Sequence, residues 1–437
     1  MAFIMRLIDK WAAMENDAMD RLVDKYYGPI FRIGLVFPSW KRSALPFTIP
    51  WMILNVSVFL WNIALLGITI YKAFLCDNDI DLFSLVTHYF LIIFNTFLSI
   101  MILNWDREIN SLNHTRIASD VGEYKDGRIY SYKACILMEK EIRKETMRYM
   151  CLPLLIILAG GVILILPYGS KLIRGYGMMY TTCGVDLFLP FPLYHPFPTH
   201  EGINHYLALL SQVLIVCFLA NIIIAGMLNF VQYSQRVKLE YKVLGYSLDT
   251  LFARSQKVYF KSYPDKKANF NIRDLDFQRI IGSLLRDSIV HHQSLIDIMD
   301  NYHGLITYPI VLAYITGAGA IGLGLTSISR ALQKGDIETL LLFLIMMLGE
   351  VITILTISLI GESVTEETHA LRYKLYNVRW YDMDIPNRRS LLNFQTFITE
   401  PLVLTAGKGL VNLTLETFST ILNSAYSFFN LVNVQQS

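Results

Sequence analysis

Near the C-terminal end, Asn412, Glu416, Thr420, Asn423, Ser427, Asn430 and Val434 recur at steps of four, four, three, four, three and four. That is the helical period, so these side chains share one face. The positions between them are mostly Leu, Val, Ile, Phe and Tyr. In lipid such a polar stripe must be hidden against protein or around water. Ending on apolar Val434, it reads as the wall of a pore with a hydrophobic constriction near its mouth. Glu416, facing that water, would attract cations.

Other residue types invite chemistry and offer less. Glu350 sits inside an apolar segment, where an ionised carboxylate is expensive. It has two readings: a site that couples a ligand to a gate, or a carboxyl paired or hydrogen-bonded within the helix bundle. Gly317-Ala318-Gly319-Ala320-Ile321-Gly322 matches the dinucleotide fingerprint in letters, but it lies in an uncharged apolar run rather than at a strand-to-helix turn. Small residues there let membrane helices approach closely. His195, His200, His205, His291, His292 and His303 have no metal-ligand spacing and are expected at the surface or at interfaces. No zinc-protease, serine-hydrolase or phosphate-loop signature occurs, so neither an enzyme nor a cofactor or metal site is expected.

The elements that must position these residues follow from composition. Of 437 residues 54% are hydrophobic and only 17% charged, against about a quarter in a soluble domain, and the mean hydropathy is +0.41. Lys, Arg, Asp and Glu are absent from residues 43–71, 204–234 and 304–329. A spanning helix needs roughly 20 apolar residues. Seven spans are predicted, at about 46–71, 82–104, 149–168, 204–230, 304–328, 338–361 and 404–434, the last the weakest by hydropathy. The opening stretch mixes acids and bases around Trp11 and has no apolar centre, so no cleavable leader is expected. Thirty-two Lys and Arg fall in the regions 1–45, 105–146, 230–303 and 362–408, and five on the opposite side. That bias places the N-terminus in the cytoplasm and the C-terminus outside. A net charge of +2 suggests no nucleic acid.

The fold class is therefore an all-α membrane protein of seven transmembrane helices, forming a single seven-helix unit over 1–437. Helical extensions at about 231–303 and 362–403 form a cytoplasmic anchor region, because their amphipathic faces need partners in each other or in neighbouring subunits. Pro386 is expected to break the sixth helix from a short one at about 388–400. The outer loop 169–203, rich in Pro and aromatic residues, is either a lid over an outer cavity or an ordered cap. Cys76 and Cys183 both fall on the outer side, where a disulfide can form; Cys135, Cys151 and Cys217 are expected to pack. In the outer halves of the spans, Val86, Tyr89 and Phe90 share a face. So do Gly160, Gly161 and Leu164, then Tyr206, Leu209 and Val213, and Phe343 with Met347. If these spans meet, they enclose an apolar cavity for a small, weakly polar molecule; ordinary helix packing explains the same residues.

Several segments resemble the insect odorant receptor family. Tyr376-Asn377-Val378-Arg379-Trp380-Tyr381-Asp382 is similar to its Tyr-x-x-x-Trp-Tyr segment below span six. Pro401-Leu402 with Thr405-Ala406-Gly407 resembles its approach to the seventh helix. Leu413 to Phe418, then Ser424 to Phe429, resemble its terminal signature. The resemblance implies a tetrameric, ligand-gated, non-selective cation channel in the plasma membrane, in contact with lipid, gated by a small volatile organic ligand. Each subunit would contribute its seventh helix to a central pore, with Glu416, Asn423, Ser427, Asn430, Leu431 and Val434 lining it. Val434 is the first choice for the gate and Leu431 the second. The ligand would sit between spans two, three, four and six, on Val86, Tyr89 and Phe90. The long second cytoplasmic insertion of the family's coreceptor is missing, which implies a ligand-tuning subunit, either in tetramers of itself or with that coreceptor. The end, Gln435-Gln436-Ser437, departs from the pattern of the related gustatory receptors. A seven-helix receptor coupled to a G protein is the rival, and it requires the N-terminus outside. A transporter is third and would use Glu350 for coupling.

Overall fold

Long runs of Leu, Ile, Val and Phe without charge leave the backbone one economical way to satisfy its polar groups in an apolar medium, the α-helix. The computed structural model follows this. It describes residues 28–434 apart from 37, 40–42, 78, 106–120, 123, 125–128, 130–131, 174–179, 200–201, 399–401 and 408. After a short helix α1 (Gly28–Ile33) come α2 (Leu45–Lys72), α3 (Ile80–Trp105), α4 (Lys133–Ile173) and α5 (Gly202–Asp249). Next are α6 (Leu251–Ser262), α7 (Leu275–Lys334), α8 (Ile337–Asn377), α9 (Ile385–Phe397) and α10 (Leu415–Val434). Among the described residues, α2, α3, α5, α7 and α8 contain stretches long and apolar enough to cross a membrane. The protein is a helical membrane protein.

Several predicted spans are parts of much longer helices. At 60 residues, α7 is about 90 Å long; it runs from the predicted anchor through the fifth span without a break. Asp274 starts it, its carboxylate accepting from the Asp276 N–H, and Gly335 ends it in the left-handed conformation. Asp336 caps α8 in turn by accepting from the Thr339 N–H, so the fifth and sixth spans are joined by a turn of two residues. Both α5 and α8 likewise continue past their spans, to Asp249 and Asn377, and α4 begins well before its span, at Lys133.

Two boundaries differ from the sequence reading. The sixth helix ends at Asn377, before Pro386, and Pro386 lies in the first turn of α9. There its missing N–H removes no hydrogen bond. The seventh helix begins at Leu415, not near 404. Thr405–Ala406 and Val411–Asn412 pair as a short antiparallel hairpin instead, with Gly407 and Gly409 at positive φ in its turn. Asn412 is thus on a strand, and the helical stripe starts at Glu416.

Beyond the apolar stretches, α5, α6, α7, α8 and α9 share one hydrophobic core that includes Leu244, Tyr259, Phe277, Leu295, Leu371 and Phe394. Gln278 knits α7 to α9: its Nε2 donates to the Asp382 carbonyl at 2.9 Å, and its Oε1 accepts from the Asp384 N–H at 2.8 Å. Of the histidines expected at the surface or at interfaces, His195, His291 and His292 are buried. His291 bridges the Tyr124 hydroxyl at 2.8 Å and the Glu240 carboxylate at 3.2 Å. Burial among the rings of Tyr241, Phe394 and Phe397 pushes His292 down to about 4. At the opposite end, Asp81 of α3 meets Lys334 and Arg330 of α7.

Candidate functional site

Two features of this bundle offer function: the free face of α10 and the interior between the long helices. Thr414 accepts from the Thr417 N–H at 3.3 Å and so caps α10. The Glu362 carboxylate of α8 accepts from the Leu415 N–H at 3.2 Å. A carboxylate at a helix N-terminus also faces the positive end of the helix dipole. Two helices thereby fix where α10 begins.

One face of α10 packs. Phe418, Ile421, Leu422 and Ala425 join the core against α7 and α8. The glycine motif of α7 explains how close they come. A Cβ on Gly322 would lie 2.6 Å from Phe428 Cδ1, and one on Gly317 would lie 2.6 Å from Ile354 Cδ1. These glycines are helix contacts, as expected from their surroundings. The opposite face carries Glu416, Thr420, Asn423, Ser427 and Asn430, all exposed in the single chain. Thr420 and Ser427 donate to carbonyls one turn back, at 3.0 and 2.8 Å. Their donors are satisfied locally, while the amides and the carboxylate stay free for water or an ion. Leu431 is exposed as well. The side chain of Val434 lies outside the described residues.

The predicted ligand residues are only partly brought together. Val86 and Tyr89 are buried on α3, and Phe343 is buried on α8. Phe90 and Met347 are half-buried. Tyr89 meets Phe191 of the outer loop edge-on, with ring centroids 4.7 Å apart. That loop is pinned down. Gln212 of α5 accepts from the Phe191 N–H at 2.9 Å and donates to its carbonyl at 3.0 Å. Lys72 donates to the Cys183 carbonyl at 3.0 Å, and Val185–Asp186 pairs with Leu193–Tyr194. Cys183 is disulfide-bonded, whereas Cys135, Cys151 and Cys217 are free. The loop is therefore an ordered cap whose Phe191 reaches Tyr89. By contrast, Tyr206 is 70% exposed and Val213 is exposed, and Leu209 is half-buried; these three do not converge with Tyr89. The surroundings of Gly160 and Leu164 lie outside the described residues.

A cavity of about 220 Å³ opens deeper, between α3, α5, α7 and α8. Apart from Glu350 and Ala320 of the glycine motif, none of the residues singled out from sequence lines it. Its walls are mostly aliphatic, with Asn95, Thr316, Tyr302 and Thr353 among the polar residues. Pro309 of α7 also lines it and removes one backbone donor there. The sequence signal for this cavity was the intramembrane polar residues themselves: Asn95, Thr316 and Glu350 stand in apolar runs where a polar group needs a reason. Among the described residues no group of three His, Cys, Asp or Glu could hold a metal ion.

The fold and the terminal helix have counterparts. The profile of the 7tm Odorant receptor family matches residues 131–426, more than half of the chain. The solved structure of the insect olfactory receptor OR5 from Machilis hrabei in complex with eugenol superposes with a TM-score of 0.73 at 12% identity, over 94% of this chain and 98% of that one. The structure of the same receptor described without eugenol gives 0.73 at 11% identity, over 95% and 99%. No curated protein sequence matches the chain.

Proposed function

The chain belongs to the 7tm Odorant receptor family, and on that premise we propose that it is one subunit of a ligand-gated, non-selective cation channel in the plasma membrane. The observation that carries this is the face of α10. Glu416, Asn423, Ser427 and Asn430 are exposed on the isolated chain while the opposite face is packed. Left toward lipid, the two amides and the carboxylate would be costly. Around a shared axis with copies of itself they would line a water-filled path, with Leu431 and Val434 forming the apolar ring that closes it.

The whole chain, residues 1–437, acts as a single seven-helix subunit, N-terminus in the cytoplasm and C-terminus outside. Four subunits surround the pore, either alike or mixed with the family's coreceptor, and the helical extensions below the membrane hold them together. Exposed Tyr373, Tyr376, Trp380 and Phe397 on the anchor support such an assembly, being aromatic surface of the kind that subunit contacts use. The ligand is a small volatile organic molecule, a reading supported by the similarly folded receptor in complex with eugenol. Its binding region lies under the outer cap around Val86, Tyr89, Phe90, Phe343 and Met347, with Gly160 and Leu164 of α4 and Tyr206, Leu209 and Val213 of α5 at its margin. Ligand that binds the open state better shifts the closed–open equilibrium toward it.

The test is whole-cell current from cells expressing the chain alone, then with the coreceptor, during exposure to a panel of volatiles. Evoked current that does not discriminate among small cations is the expected result. No current in either setting, with the subunit confirmed at the surface, would overturn the channel reading.

A further inference from the structure

We infer that the cavity between α3, α5, α7 and α8 is a second binding site, one that takes a small amphipathic amine with its ammonium on Glu350 and its hydrocarbon among the aliphatic walls. The inference goes beyond the ligand region proposed above, which none of the cavity's lining residues shares, and it does not depend on the chain being a channel.

The polar inventory decides the chemistry. Three hydroxyl donors of the lining are already used. Thr316 Oγ1 donates to the Leu312 carbonyl at 2.7 Å, Thr353 Oγ1 to the Gly349 carbonyl at 2.9 Å, and the Tyr302 hydroxyl to the Phe230 carbonyl at 3.3 Å. Acceptors are left over. Asn95 Nδ2 donates to Thr316 Oγ1 at 3.4 Å, but its buried Oδ1 has no partner. The Glu350 carboxyl lines the same space beside α7, where a Cβ on Gly317 would lie 3.5 Å from Oε2. No described residue donates to it, and no Lys, Arg or His is among the cavity's lining residues. The reading of Glu350 as a structural pair therefore fails among the described residues.

A buried carboxylate needs a counter-charge and donors. An ammonium supplies three donors and the opposite charge, whereas an alcohol supplies a single donor and none of the charge. The volume sets the size. At about 220 Å³ the cavity lies below the roughly 300–1,000 Å³ of drug-sized pockets, which suits one ring or a short chain.

Purified full-length protein in detergent micelles, titrated calorimetrically with phenethylamine and with its neutral counterpart phenethyl alcohol, tests this without any current being measured. Phenethylamine is expected to saturate one site. Glu350→Gln keeps the shape and removes the charge; it should weaken the amine about tenfold or more and shift the alcohol less than about twofold. Gly226→Leu is the second variant. Gly226 lines the cavity, and a Cβ there meets nothing within 4 Å, so the larger side chain grows into the open space and should abolish amine binding. Absence of amine binding to the unmodified chain would overturn the inference. So would equal amine affinity in Glu350→Gln, or undiminished amine binding in a Gly226→Leu protein whose melting temperature is unchanged. Amine binding in a chain that carries no current would leave this site standing and the channel reading fallen.

Discussion

Gly361→Ala places one methyl group at the tightest junction between α8 and the segment leading into α10. An added Cβ would lie 2.1 Å from the Leu413 carbonyl oxygen and 2.4 Å from Leu413 Cβ. Carbon–oxygen contacts settle at about 3.3–3.6 Å, so the backbones must part by more than about 1 Å. Little can absorb this. Leu413 is fully buried, and its N–H donates to the Leu404 carbonyl at 2.8 Å. The next residue, Thr414, caps α10. Overpacking of this kind costs about 1–3 kcal/mol. If one gating state relieves it, the closed–open equilibrium moves by roughly 5–150-fold. The internal control is Gly319→Ala, where an added Cβ meets nothing within 4 Å. There helix propensity favours Ala by up to about 1 kcal/mol. Melting temperature of the purified protein and basal whole-cell current are the readouts. Gly361→Ala should melt lower and alter basal current, while Gly319→Ala should hold or rise in melting temperature with current unchanged. Two variants indistinguishable in both readouts would refute the close approach of α8 to Leu413.

Four further outcomes are expected. Glu362→Ala removes the acceptor of the Leu415 N–H and should lower stability by about 1 kcal/mol, with Glu362→Gln recovering part; equal melting of Glu362→Ala and the unmodified protein would dismiss the cap. Leu431→Ser puts a hydroxyl at the proposed constriction and should raise basal current, read in ligand-free patches. Glu416→Gln should lower permeability to sodium relative to chloride, seen as a shift in reversal potential in a sodium chloride gradient. Burial holds His292 at about 4 in the folded protein, below its ordinary value near 6.5. The unfolded chain therefore takes up the proton first as pH falls, and stability present above about 6.5 is lost toward pH 4, by about 3 kcal/mol at most. A Phe at position 292 should flatten that part of the profile of melting temperature against pH.

The helices were legible because lipid-facing sequence leaves little choice of backbone. Charge-free runs marked α2, α3 and the apolar parts of α5 and α7, an apolar run interrupted by Glu350 marked that of α8, and amphipathic helical spacing such as Leu284, Leu295 and Ile298 marked the continuation of α7 beyond its span. What was not legible depended on contacts between distant segments. The hairpin before α10 consists of strands two residues long, set by the Leu413 to Leu404 hydrogen bond and by glycines at positive φ; periodicity has nothing to measure over such a length. The stripe beginning at Asn412 had the right period one turn too early, because a strand residue can fall on a helical grid by chance. Pro386 reads as a breaker or as a first-turn residue with equal right, and only the cap made by Asp384 decides. The cavity was missed for a similar reason. Its outline needs the register of four helices against one another, whereas its polar residues could have been flagged one by one.

Packing and the proposed permeation path make opposite demands on α10, and the sequence separates them by angle. Phe418, Ile421, Leu422 and Ala425 need close-fitting partners, which the small residues of α7 admit. Glu416, Asn423, Ser427 and Asn430 need water, which a lone helix at the edge of a bundle cannot hold in lipid. A single chain therefore satisfies only half of this helix. The helical extensions of α5, α7 and α8 present a similar incompleteness, since Tyr373, Tyr376 and Trp380 stand exposed while the interior is closed around Tyr259 and Phe277. Glu362 and Leu413 connect the two: α8 runs from the cavity through Glu350 to the cap of α10, and continues into the anchor. A displacement of α8 at the cavity would thus reach the start of α10 through one carboxylate and one close backbone contact. From the cavity two helices lead to α10: α8 through Gly361 and Glu362, and α7 through Ala320, which lines the cavity, and Gly322, which packs on Phe428.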